Sequence, residues 1–172
     1  MLQLTLLERE EVELEFTTYS IVEQLSRVIS TQENQAILKD IEIQFEKPRK
    51  DIMVYGDEQR LEQVWINLIS NAIKYTGEGG LITVAVKKAS REVEVSIEDT
   101  GYGMSKEVVS HIFERFYRVD KSHSNQKEGS GLGLSIVKHG AKFHHAEMEV
   151  ESEVGKGTKI TVVFPRQNSD LL

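Results

Sequence analysis

Asn67, Asn71 and Lys74 recur at i, i+4 and i+7 within the stretch DEQRLEQVWINLISNAIKY, residues 57–75. At roughly 100° per residue they share one narrow polar stripe of a helix. A buried amide without a partner costs about 1–3 kcal/mol. The stripe therefore either bonds neighbouring backbone and water, or presents amide oxygens to a hard cation and an ammonium to phosphate. A second candidate is Asp99, where an alternating strand ends just before Gly101 and Gly103. A carboxylate at such a sheet rim, with small residues behind it, lets a ligand approach the backbone closely; a plain Asp-Gly turn is the other reading. A third is the run GSGLGL at 129–134, whose Gly129, Gly131 and Gly133 head a helix. It can offer backbone N–H groups to an anion, or serve as hinge and cap. It is not a Walker A loop, since GxxxxGK[ST] is absent, and a charged loop rather than a strand precedes it, which excludes the dinucleotide-binding arrangement.

These residues need elements to hold them. The stretch 57–75 reads as a helix with Asp57 as N-cap, Glu58 in the first turn, and Leu61, Val64, Trp65, Leu68 and Ala72 on its apolar face. Gly77, Gly79 and Gly80 stop it. Before it come a short strand at 14–17, an amphipathic helix from Ser20 carrying Ile21, Leu25, Val28 and Ile29, a strand at 41–45 ended by Pro48, and a strand at 52–55. After it, 81–86 and 93–97 alternate as strands joined by a turn at 89–91, and the second runs into Asp99. Ser105 caps a short helix through Phe113, and residues 120–130 are charged and aperiodic, a loop of functional length. The glycine run opens a helix to about Phe143, and strands at 147–151 and 158–164, joined by the Gly155–Gly157 turn, complete the set. The expectation is a two-layer α/β (α+β) sandwich: a mixed β-sheet covered on one face by about three helices.

The bulk properties narrow the function. With 172 residues there is room for one well-cored domain. A net charge of −7 argues against a nucleic-acid surface and favours no membrane surface. The absence of cysteine excludes disulfides and thiolate metal sites, and the five histidines form no HExxH or other metal spacing.

Five segments in order, NLISNAIKY (67–75), DTGYG (99–103), FERFYR (113–118), GSGLGL (129–134) and GKGT (155–158), resemble the N, G1, F, G2 and G3 boxes of the catalytic ATP-binding domain of bacterial sensor histidine kinases. That family belongs to the GHKL superfamily shared with gyrase, Hsp90 and MutL, with the Bergerat-type fold. The resemblance covers residues 12–165 and implies a division into 1–12 as remnant of a preceding dimerisation helix, 13–165 as the catalytic domain and 166–172 as a tail. It implies ATP and Mg²⁺ as cofactors, with Asn71 as the metal ligand through its amide oxygen. Lys74 and Tyr75 would meet phosphate and the nucleotide pocket, and Asp99 would accept the adenine amine beside Gly101 and Gly103. Arg118 and Arg115 would meet the polyphosphate, with Phe113 and Phe116 anchoring the loop. Gly129, Ser130, Gly131, Leu132 and Gly133 would line the phosphates, residues 120–128 would be the lid, and Thr158 closes the G3 box. Asn71, Lys74 and Arg118 would thus carry the catalysis. Asn67 belongs to the same site, where hydrolysing relatives carry a water-activating glutamate. An amide cannot act as that base, which suits transfer to a protein side chain.

The implied partners are a phosphoacceptor-histidine dimerisation domain of the same full-length protein and, downstream, a response regulator. The implied place is cytoplasmic, as part of a membrane-anchored sensor, with no nucleic acid bound and no membrane contact by this domain. The alternatives are an anti-sigma-type serine kinase or binding module, and an ATP-driven conformational ATPase. Ser130 and Ser135 stand where Thr and Ala are commoner, and His144-His145-Ala146 where His-Gly-Gly is. The histidines there are expected at the surface. None of the five is followed by the acid that accompanies a phosphoacceptor, so the chain is expected not to label itself.

Overall fold

Residues 14–113 and 131–165 are described by the computed structural model. Among them, seven strands and four helices follow one another along the chain. Strand β1 (Phe16–Ser20) leads straight into helix α1 (Ile21–Leu38), whose N-cap Ser20 accepts the Glu23 N–H. Then come β2 (Glu42–Glu46) and β3 (Met53–Asp57), and β3 runs without a break into α2 (Glu58–Lys74). Asp57 is both the last residue of that strand and the helix N-cap, accepting the Arg60 N–H. Strands β4 (Leu81–Lys88) and β5 (Glu92–Asp99) form a hairpin. The short α3 (Lys106–Val109), α4 (Gly131–Phe143) and the β6 (Glu147–Glu153) and β7 (Gly157–Pro165) hairpin follow.

Five strands make one mixed sheet in the order β2-β4-β5-β7-β6, with β2 parallel to β4 and the other pairs antiparallel. The other two do not join it. β1 and β3 pair antiparallel in a separate ribbon, Phe16 opposite Asp57 and Ser20 opposite Met53. Both strands feed directly into helices, which holds the ribbon at the end of the helical layer. That pairing also sets β1 two residues later than the alternation at 14–17 suggests.

Helices α1, α2 and α4 cover one face of the sheet. Ile82, Val84, Val86, Val93, Val95, Ile97, Val162 and Phe164 point toward them and are buried. Leu61, Val64, Trp65, Leu68 and Ala72 of α2 are buried against that face, with the Trp65 ring edge-on to Phe164 at 5.9 Å. Each of the Leu and Val side chains among them contributes about 1.5–3 kcal/mol. The opposite face carries exposed Glu98, Glu149 and Glu151, as the period of two requires.

Within this apolar layer sits a polar knot. Gln24 of α1 is fully buried. Its Oε1 accepts both the Tyr19 hydroxyl and the Trp65 Nε1–H at 2.9 Å, and its Nε2 donates to the Glu58 carbonyl at 2.7 Å. Burial pushes the Tyr19 phenol well above its usual pKa, so it stays a neutral donor. The knot joins β1, α1 and the first turn of α2.

Helix α3 departs from expectation. Ser105 caps it, but it ends at Val109 rather than Phe113. Ser110 Oγ donates to the Glu107 carbonyl and the His111 N–H to that of Val108, so the chain tightens into turns. No helix among the described residues is long and apolar enough to cross a membrane.

Candidate functional site

The far end of α2 delivers the amide stripe. Asn71 Nδ2 donates to the Asn67 carbonyl one turn back at 2.8 Å, which leaves Oδ1 as the atom that can ligate. Asn67 Oδ1 accepts from Gln63 Nε2 at 3.2 Å. Lys74 Nζ lies 5.7 Å from the Tyr75 ring centroid. Tyr75 is the C-cap, its N–H returning to the Asn71 carbonyl. An unexpected residue secures this end: Lys39, just past α1, donates its Nζ to the Ile73 and Lys74 carbonyls at 2.8 and 3.1 Å. A cation there satisfies orphan carbonyls and opposes the negative end of the helix dipole.

Asp99 ends β5 beside this terminus. Its Oδ1 accepts the Gly101 N–H at 2.8 Å and the Thr158 N–H at 3.2 Å, and both bonds fall on that one oxygen. Oδ2 takes no part in either bond. Burial raises the Asp99 pKa above 3.8, and the two backbone N–H bonds partly oppose the rise. A side chain at Gly101 would run into the Tyr75 carbonyl, and one at Gly103, at φ +72°, into that of Glu153. Both positions are therefore closed to other residues by the same packing that brings three turns together.

Those turns are stitched by backbone bonds. The Tyr102 N–H donates to the Tyr75 carbonyl and the Gly155 N–H to the Tyr102 carbonyl. Ser152 adds a side-chain node: its Oγ accepts the Met104 N–H at 2.8 Å, donates to the Gly157 carbonyl at 3.1 Å and pairs with Thr158 Oγ1 at 2.7 Å. Asn67, Asn71, Lys74, Tyr75, Asp99, Gly101, Gly103 and Thr158 thus sit on elements joined at one end of the sandwich. Gly131, Leu132 and Gly133 form the first turn of α4. Arg115, Phe116, Arg118, the lid at 120–128, Gly129 and Ser130 lie outside the described residues.

One expectation fails. His144 is not a surface residue but is buried, 6% exposed, with both ring nitrogens engaged; His145 beside it is exposed. Its decisive partner, Asp57, lies 87 residues away, so no local pattern announces it. Ser152 and Lys39 escape sequence reading for the same reason, each looking like an ordinary exposed polar residue.

A family model described as histidine kinase-, DNA gyrase B- and HSP90-like ATPase matches residues 56–168. The mycobacterial sensor-like histidine kinase SenX3 of Mycobacterium tuberculosis is 37% identical over 141 residues, 82% of this chain and 34% of its own length. Sensor histidine kinase WalK of Bacillus subtilis is 34% identical over 169 residues, 96% of this chain and 27% of its own. The chain therefore spans about a third or less of these curated relatives. Among solved structures, the nucleotide-free catalytic domain of histidine kinase ThkA superposes with a TM-score of 0.78 at 29% identity, covering 89% of this chain and 97% of that one. ThkA in complex with a response regulator superposes at 0.74 with 28% identity, covering 95% of this chain and 47% of that one. The chain belongs to this ATPase family, among the catalytic ATP-binding domains of sensor histidine kinases.

Proposed function

We propose that this chain binds MgATP and transfers its γ-phosphoryl group to a histidine on a separate dimerisation domain, for onward passage to a response regulator. The observation that carries the nucleotide reading is Asp99: two backbone N–H groups pin one carboxylate oxygen, and neither bond uses the other. Such a group accepts the exocyclic amine of adenine and discriminates against a carbonyl in its place. Asn71 Oδ1 fits a hard cation that takes oxygen ligands, since the Nδ2 of the same amide is already bonded. Magnesium, when bound, neutralises phosphate charge. Lys74 and Arg118 would hold the phosphates, and the first turn of α4 would offer N–H groups to them.

Asn67 favours transfer over hydrolysis. Its amide oxygen accepts from Gln63 and has no basicity with which to activate water. That weighs against the conformational-ATPase alternative. The complex of ThkA with a response regulator supports the downstream partner assigned here. In the full-length protein the domain, taken as residues 13–165, would work on the cytoplasmic side of a membrane-anchored sensor.

The test mixes fragments. With radiolabelled ATP, neither this chain nor the dimerisation hairpin alone takes up label, and the mixture yields acid-labile label on the hairpin. Strong acid-labile label on this chain by itself would overturn the reading.

A further inference from the structure

His144 lies apart from the residues that face nucleotide, yet four segments meet on its ring. Nε2 accepts the Asp57 N–H at the head of α2 at 2.9 Å. Nδ1 is 2.7 Å from the Gly140 carbonyl, one turn back in α4. A carbonyl only accepts and an N–H only donates, so the proton is on Nδ1 and Nε2 is bare. The ring stacks on Phe16 of β1, centroids 5.1 Å apart and planes at 15°. It also fills the space over Gly56 of β3, where a Cβ would lie 2.9 Å from the ring.

The contacts between α2 and α4 run in one direction. Asp57 meets His144, the Arg60 guanidinium lies over the Phe143 ring at 5.1 Å, and Gly140 passes Val64 so closely that a Cβ would lie 2.6 Å from it. As α2 ascends, α4 descends: the helices are antiparallel. Continued over the 13 residues of α4, about 20 Å at 1.5 Å per residue, the same register carries its glycine head toward the Asn71 turn. The two ends of the phosphate-binding surface thus belong to helices tied at their opposite ends by one imidazole.

We propose that His144 is a positioning residue for the nucleotide site, its Nδ1-protonated neutral ring fixing the axial register of α4 on α2. This rests on the ATP reading of the far end. The ring cannot serve once protonated, since Nε2–H would then face the Asp57 N–H. The ionisable groups around it are the Asp57 carboxylate and Arg60 guanidinium of α2 and His145 next in the chain. Burial, the largest influence, holds its pKa below 6.5, with the Gly140 bond and Asp57 opposing. Its share of stability is therefore complete above pH 6.5 and is lost as pH falls from there through the lowered value.

The experiment compares His144→Gln, whose amide reaches as far as Nε2, with His144→Asn, which reaches only as far as Nδ1, and His144→Phe, which keeps the stack alone. Kd for MgATP is measured on each. Gln is expected within about threefold of wild type, and Asn and Phe weaker by about tenfold or more, the scale of one lost hydrogen bond. On acidification from about pH 7.5 to 5.5 the wild type loses affinity relative to His144→Gln. Nitrogen-15 NMR of the unsubstituted protein shows a protonated Nδ1 and a bare Nε2, whatever the variants do. Phe binding as wild type while Gln fails would make His144 a packing plug and overturn the proposal, as would an Nε2-protonated ring. A wild type that binds no nucleotide would instead overturn the ATP reading beneath it.

Discussion

At the scale of single residues, the site depends on which atom of a side chain is already spoken for. Asp99 uses Oδ1 for Gly101 and Thr158, so in the proposed site Oδ2 is left to meet the nucleotide. Asp99→Asn removes a charged acceptor worth about 1.5–3 kcal/mol, so ATP should bind about ten- to a hundredfold more weakly in calorimetric titration. GTP should bind poorly to the wild type; equal affinities would sink the assignment of Asp99 to the adenine amine. The raised Asp99 pKa adds a pH signature. Nucleotide needs the carboxylate, so affinity falls as pH drops through the raised value. Stability of the empty protein moves the other way: a buried acid above its ordinary pKa costs stability when charged, and that cost is relieved as pH falls toward 3.8. Asn71 follows the same logic as Asp99, its Nδ2 spent and its Oδ1 kept. Asn67→Glu would put a base one turn before it, and phosphate release should rise at least about tenfold, within the range general bases supply. An unchanged rate would mean Asn67 does not face the γ-phosphate.

At the scale of elements, much was legible because it is written locally. Helix α2 has its cap, its first-turn acid and its apolar face in consecutive sequence, and the structure places its start where these signals do. The β4–β5 and β6–β7 hairpins were legible from alternation and from the turns that separate them. What was not legible depends on distant partners. The ribbon of β1 and β3 is set by a pairing across α1 and β2, which no alternation within 14–17 reveals. Gln24 reads as a polar residue on an amphipathic helix, and only Tyr19, Trp65 and Glu58 make its burial tolerable. Gln24→Leu keeps the volume but strands the Tyr19 and Trp65 donors, each worth about 1–3 kcal/mol, so stability should fall by about 2 kcal/mol or more. Urea unfolding followed by Trp65 fluorescence measures it. A loss below about 1 kcal/mol would show that water reaches the knot.

At the scale of the whole molecule, the order in which the chain is made differs from the order in which it is joined. The last described strand, β7, lies inside the sheet between β5 and β6, and its first residues hold Asp99 through the Thr158 N–H. A ribosome that has released everything through β6 has therefore delivered a sheet split in two, β2-β4-β5 on one side and an unpartnered β6 on the other. Val93, Val95 and Ile97 of β5 already have their helices, but that strand's outer hydrogen-bonding edge is open, a template for the wrong neighbour. Nascent chains stalled with β6 outside the exit tunnel should be cut readily by protease and should ignore MgATP. Chains stalled a tunnel's length beyond Pro165 should resist protease and gain further protection from the nucleotide. Protection already complete before β7 emerges would mean that the helical layer folds without the strand that closes its sheet.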